Sequence, residues 1–147
     1  MTADELSDDE VEALLRRANT GTLSLAEGGD TYAVPQSFGY DGETLYFQLA
    51  YDDDSRKMEY IETTTTATFT VYEERPAQSV IVQGPLEPVP EGEETLATNA
   101  IAENAVIPTL NVSLDTPLEA LRFDFYRLVP ESLSGWRFHG FGEQPNG

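Results

Sequence analysis

Seven stretches of this 147-residue chain read as β-strands, and the turn signals between them confine it to an antiparallel fold. Thr22–Ala26 alternates apolar and polar residues, Glu27-Gly28-Gly29-Asp30 supplies a turn, and Thr31–Tyr40 runs extended. Asp41-Gly42 then turns into Glu43–Leu49, completing a three-stranded meander. Thr64–Tyr72, Gln78–Val89, Ala120–Val129 and Ser134–His139 supply the remaining strands, with Gly84-Pro85 interrupting the second of these. Three helices are interspersed. The first starts at Ser7 as N-cap, with Glu10 completing a capping box and Leu6 stapled to Val11; its apolar stripe is Val11, Leu14, Leu15 and Ala18, and Asn19-Thr20-Gly21 ends it. The second covers Ser55–Ile61, and the third covers Glu91–Ala105 with Leu96, Ala97, Ala100, Ile101 and Ala105 inward. The pattern predicts a mainly β single domain over residues 1–147: a closed or nearly closed antiparallel barrel of six to seven strands, not a doubly wound sheet. Met1–Glu5 and Glu143–Gly147 are expected to be loose tails.

Charge narrows the partners. Twenty-seven acidic residues against eight basic ones give a formal charge of −19, which repels phosphate backbones and anionic headgroups and excludes general nucleic-acid or membrane-surface binding. With 39% hydrophobic residues in periodic runs the chain nevertheless folds. Abundant acid, a single lysine and an ordinary core resemble the proteins of salt-accumulating halophiles, haloarchaea among them; the alternative is an acidic mesophilic protein. The absence of cysteine removes disulfides, thiolate metal sites and cysteine nucleophiles, and one histidine, His139, is too few for a convincing triad or zinc site. Asp52-Asp53-Asp54 reads as solvated surface. An acidic start and no apolar run of about 20 residues point to a soluble, cytoplasmic protein.

Two features could carry chemistry. Thr31–Tyr40 places Tyr32, Val34, Phe38 and Tyr40 on one face and the small residues Ala33, Pro35, Ser37 and Gly39 on the other. The small face admits either a planar ligand or another backbone, and Pro35 marks an edge or a bulge. Ser55-Arg56-Lys57, with the only lysine of the chain, combines a hydroxyl, a guanidinium and an ammonium at a helix start, the equipment a phosphate monoester requires. The alternative there is a solvated helix start with Arg56 paired to a surface acid.

Gly21-Thr22-Leu23-Ser24-Leu25, Tyr32 to Tyr40, Leu45 to Ala50, Ser55-Arg56-Lys57 and Ala67-Thr68-Phe69-Thr70-Val71 together resemble the pyridoxamine 5′-phosphate oxidase-like flavoproteins, and within them the nitroimidazole-resistance type. The resemblance spans roughly residues 9 to 90 and lies in order and spacing. It implies a split β-barrel that binds FMN in two clefts at a homodimer interface. On that resemblance Val34, Pro35, Gln36 and Ser37 lie along the flavin ring, Phe47 and Gln48 belong to the strand passing the ribityl chain, and Ser55, Arg56 and Lys57 hold the phosphate. Gln78 and Ser79 match contacts on the next hairpin, and Trp136 resembles a late tryptophan near the flavin, or else a half-buried interface aromatic.

The chain also departs from that family. It lacks the long C-terminal part of true pyridoxamine phosphate oxidases, so vitamin-phosphate oxidation is not implied, although Arg137-Phe138-His139 superficially resembles their substrate-binding Arg-x-His. Gln48 stands where the nitroimidazole-resistance type often has histidine. The expectation is an FMN-dependent oxidoreductase passing electrons or hydride between a reduced nicotinamide and a small acceptor, with Tyr46, Trp136 or His139 lining the substrate side. Its rivals are a deazaflavin enzyme on the same barrel and a module that holds flavin or haem without turnover.

Overall fold

The computed structural model describes residues 2–51, 57–104 and 122–140. In chain order the elements are β1 (Thr2–Glu5), α1 (Asp8–Arg17), β2 (Thr20–Glu27), β3 (Asp30–Ser37), β4 (Gly39–Tyr40), β5 (Leu45–Tyr51), α2 (Lys57–Thr63), β6 (Ala67–Glu74), β7 (Ala77–Gly84), β8 (Leu86–Pro88), α3 (Glu94–Asn104), β9 (Arg122–Leu128) and β10 (Ser132–His139). They form a six-stranded sheet in the order β1-β10-β7-β6-β2-β3 and a four-stranded sheet in the order β4-β5-β9-β8, with every ladder antiparallel.

The two sheets make one barrel because three runs of chain belong to both. β3 bends at Phe38 into β4, β7 bends at Pro85 into β8, and β9 returns as β10 through Val129–Glu131. Backbone bonds from Val129 to Pro85 (3.2 Å) and from Glu131 to Gln83 (2.8 Å) carry the β7/β10 ribbon round the second corner. Pairing then closes the ring: β2 with β3, β4 with β5, β5 with β9, β10 with β7, β7 with β6, and β6 with β2. This is a mainly β split barrel. The predicted seven strands become ten because two of them are bent and because Thr2–Glu5, expected to be a loose tail, is the strand β1, paired along β10 from Thr2↔His139 to Glu5↔Trp136. Residues 143–147 lie outside the described region.

Phe38, Phe47 and Phe69 fill the middle of the barrel, with edge-on ring pairs at 4.8 Å (Phe38–Phe69) and 5.1 Å (Phe47–Phe69). Leu23, Leu49, Val71, Val80 and Val82 complete the wall facing them. One end is covered by α1, whose Ser7 and Glu10 form the expected capping box and whose Val11, Leu14 and Leu15 are buried. α2 buries Tyr60 and Ile61 in the same core, and α3 lies on β4 and β5 with Ala97 and Ala100 inward beside Tyr46 and Val89. Leu96, expected inward, is 58% exposed, since the contact face of α3 is narrower than its apolar residues suggest. Ile101 is partly buried against the same cluster, and Ala105 lies outside the described residues.

Candidate functional site

Alternation along β3 sorts the predicted ring-side residues onto two faces. Tyr32, Val34 and Gln36 point into the barrel, opposite Leu25, Leu23 and Gly21 of β2; Ala33, Pro35 and Ser37 point outward. β3 is the outer edge of its sheet, as Pro35 suggests, with Pro35 paired to Thr22. The small face admits another backbone at one point only. A Cβ on Gly39 would stand 2.3 Å from the carbonyl carbon of Ala100 and 2.4 Å from the amide nitrogen of Ile101, so α3 rests directly on that glycine. Ala33 and Pro35 on the same side are exposed.

The bend at Phe38 leaves a seam between β3 of the larger sheet and β5 of the smaller one. Gln36 spans it: only 1% exposed, it donates through Nε2 to the carbonyls of Ser37 and Gln48, each at 3.2 Å. Two stretches far apart in sequence, Val34–Ser37 and Phe47–Gln48, are thereby neighbours, as the resemblance requires. Their side chains take different positions. Phe47 is fully buried, so residue 47 meets a ligand through backbone alone, whereas the Gln48 side chain points outward and is exposed, beside Phe125 of β9.

The basic segment follows β5. Ser55 and Arg56 lie outside the described residues, and Lys57 is the first residue of α2. Tyr60, three residues on, stacks on Tyr32 of β3 with centroids 5.3 Å apart. At about 1.5 Å per helical residue, this brings the start of α2 beside the same edge strand. With seven residues α2 is too short for its dipole to hold a phosphate, so any such grip falls to side chains.

Ser79 and Trp136 are also neighbours, facing each other across the β7/β10 ladder and pointing outward with Tyr72 and Glu5 in one row. The adjacent row runs Pro35, Thr22, Thr70, Ile81, Ser134. Tyr72 (59%), Ile81 (36%), Trp136 and Phe138 (38% each) are exposed large residues, and these central rows carry no charged side chain between Glu5 and the seam. In a chain with 27 acids an uncharged sheet face stands out. Four strand spacings of about 4.8 Å put Pro35 and Ser134 roughly 19 Å apart along the sheet, so Pro35 and Trp136 of one copy are not in mutual contact.

The remaining candidates are engaged. The Tyr46 hydroxyl donates to Asp41 at 3.1 Å while its ring packs under α3, and burial, then that carboxylate, push its pKa up. Gln78 is buried, its amide donating to Glu73 at 3.1 Å, and its Oε1 has no partner among the described residues. His139 meets Asp4 at 2.7 Å and Arg137 is paired with Glu10; both line a cavity of about 590 Å³ with Arg75 and Phe138 at the end of the β6–β7 hairpin. Among the described residues no group of three or more acidic or histidine side chains could hold a metal ion, and no helix is long and apolar enough to cross a membrane.

Sequence reasoning missed Gln36 as a core residue and missed the uncharged outer face. The second was accessible in principle, since Thr22, Thr70, Ile81 and Ser134 alternate with core residues on their own strands, but only the sheet order assembles them.

Solved structures with this fold include a FAD-binding protein from Mesorhizobium loti (22% identity, 92% of this chain and 96% of that one, TM-score 0.70). A candidate 5-nitroimidazole antibiotic resistance protein from Bacteroides thetaiotaomicron also matches (18% identity, 92% and 87%, TM-score 0.69). So does a FAD and haem binding protein from Mycobacterium smegmatis (18%, 99% and 77%, TM-score 0.68). No curated protein matches the sequence. The family model described as pyridoxamine 5′-phosphate oxidase matches residues 7–137, nearly the whole of the described barrel, and the chain belongs to that family.

Proposed function

We propose that this protein is a cytoplasmic FMN-binding oxidoreductase that works as a homodimer, passing electrons or hydride between a reduced nicotinamide and a small acceptor. The observation that carries this reading is the seam. Pro35 on one side and Gln48 on the other are exposed, uncharged residues beside the seam that Gln36 spans, and in the sequence β5 is followed shortly by Ser55-Arg56-Lys57. A planar heterocycle suits the first part and a phosphate monoester suits the second. In this family role FMN supplies the redox chemistry. Backbone groups of Val34–Ser37 would orient the ring, Gln48 would stand beside it, and Arg56 with Lys57 would neutralise the phosphate. No acid–base side chain is required of the protein.

The uncharged outer face supports the dimer. Burying Tyr72, Ile81 and Trp136 against a second copy removes exposed apolar surface without desolvating charge. It also resolves the distance between Pro35 and Trp136, because a cleft between two copies can be lined by Pro35 of one and by Trp136 and Ser79 of the other.

The purified protein is expected to be yellow, with FMN released on denaturation. Replacing Arg56 and Lys57 together by Ala should weaken FMN binding about a hundredfold or more, since two charge-assisted contacts at about 1.5–3 kcal/mol each are lost. Retained affinity in that variant would overturn the phosphate assignment. A colourless protein that takes up deazaflavin would favour the deazaflavin reading. The FAD-binding and haem-binding names of two structural neighbours favour a second reading, a binding module without turnover. Oxidation of reduced nicotinamide by the flavin-loaded protein separates it from the first.

A further inference from the structure

We infer that Gln36 is a positioning residue that sets the width of the seam and thereby the fit of the flavin; this rests on the flavin reading above. The barrel interior is otherwise apolar at this level, with Phe38, Phe47, Phe69 and Leu23 fully or almost fully buried, and an amide there is costly unless its hydrogen bonds are made. Gln36 makes them in a particular way. One nitrogen serves two carbonyls that belong to different sheets, Ser37 in β3 and Gln48 in β5.

β3 is laddered to β2 and β5 to β4 and β9, and no β3–β5 ladder exists among the described strands. The side chain therefore does between the sheets what a ladder would do within one. Both oxygens stand 3.2 Å from the same nitrogen, so the one amide fixes how far apart the two carbonyls lie. Gln48 is exposed at the proposed ring site, and Ser37, itself buried, joins the exposed Pro35 of β3 to the bend at Phe38. A shift of either strand would move the surface against which the ring lies, and cofactor contacts are sensitive to misplacement of about an ångström.

Gln36→Met keeps the volume and removes both donors. Three proteins decide the matter: the wild type, Gln36→Met, and Val82→Ala as a control that loosens the barrel wall on β7, away from the seam. Each is titrated with FMN by fluorescence, and the midpoint potential of the bound flavin is measured alongside Tm. The expected result is a Kd raised tenfold or more and a displaced potential in Gln36→Met, with both unchanged in Val82→Ala despite a lowered Tm. Should Gln36→Met not fold, Gln36→Asn, which keeps an amide but is one methylene too short for both carbonyls, takes its place. An unchanged Kd and potential in the Gln36 variant, or an equal loss in the control, overturns the inference alone. A wild type that binds no flavin overturns the reading it rests on as well.

Discussion

Gly39 shows how little freedom single positions have in this barrel. The backbone of α3 occupies the space a methyl group would need, with three atoms within 2.6 Å. Gly39→Ala should lower unfolding free energy by about 1–3 kcal/mol or detach α3, an overpacking cost that denaturant unfolding measures. Phe69 is the opposite case, a large residue touching both Phe38 and Phe47, and Phe69→Ala should cost about 3–5 kcal/mol. Both residues were legible as elements of strands, but their neighbours were not, because the contacts join positions 22 to 62 residues apart. Gln36 was legible only as a member of a ring-side stretch. Its alternation with Val34 and Phe38 places it on the bulky, inward face of β3, while the resemblance set it along a ligand; the structure buries its amide in the core.

The Arg17 guanidinium makes two hydrogen bonds of 2.9 Å to Glu73 and holds its carboxyl below the ordinary glutamate range. In the unfolded chain Glu73 takes up its proton at higher pH, so its contribution to stability is complete above the unfolded value, about 4.3, and is lost as pH falls through the folded one. Glu73→Gln should therefore flatten the decline of Tm as pH falls below the unfolded value of about 4.3. The comparison belongs in molar salt, where general charge repulsion is screened.

At the level of elements, α1 is where sequence and structure agree most closely. Ser7 Oγ accepts from the Glu10 amide at 3.2 Å, Glu10 accepts from the Ser7 amide at 3.1 Å, and Leu6 and Val11 are buried together. Ser7→Ala should cost about 1 kcal/mol, seen as a small drop in Tm. β1 shows the reverse. Four exposed residues carry no hydrophobic pattern, so nothing in them signals a strand. They pair because β10 offers a free edge on the side opposite β7, with Asp4 meeting His139 and the Leu6 amide donating to the Gly135 carbonyl at 2.9 Å. Deleting residues 1–5 should leave the β10 edge open and raise the rate of aggregation, measurable by light scattering, while the barrel still folds. The bends at Phe38 and Pro85 were partly legible. Gly84-Pro85 announces one in the sequence, whereas Phe38 looks like any apolar strand residue and bends only because β4 must pair with β5.

For the molecule as a whole, the formal charge of −19 and the uncharged sheet face belong together. Molar salt would relieve the repulsion among the many acids, and on the proposed homodimer the uncharged face is where the second copy would sit. The protein should unfold or lose compactness on dialysis into dilute buffer and regain structure in molar salt, which circular dichroism follows; an unchanged spectrum would count against a halophilic origin. On the proposed homodimer, Ile81→Asp in salt should give a monomer in a sedimentation experiment by placing a charge in the middle of that face.

The sequence by itself determined the β-rich antiparallel character of the chain, the first helix with its caps, and the singular basic pair at Arg56-Lys57. These are consequences of period, turn chemistry and composition, all of which act over a few residues. The tertiary structure alone decided that two bent strands and the β9–β10 connection close two sheets into one barrel, that Gln36 spans their seam, and that Pro35, Ile81 and Trp136 share one outer face. Those facts depend on strand order and register between residues as many as a hundred positions apart, and local chemistry carries no record of which distant strand will be the neighbour.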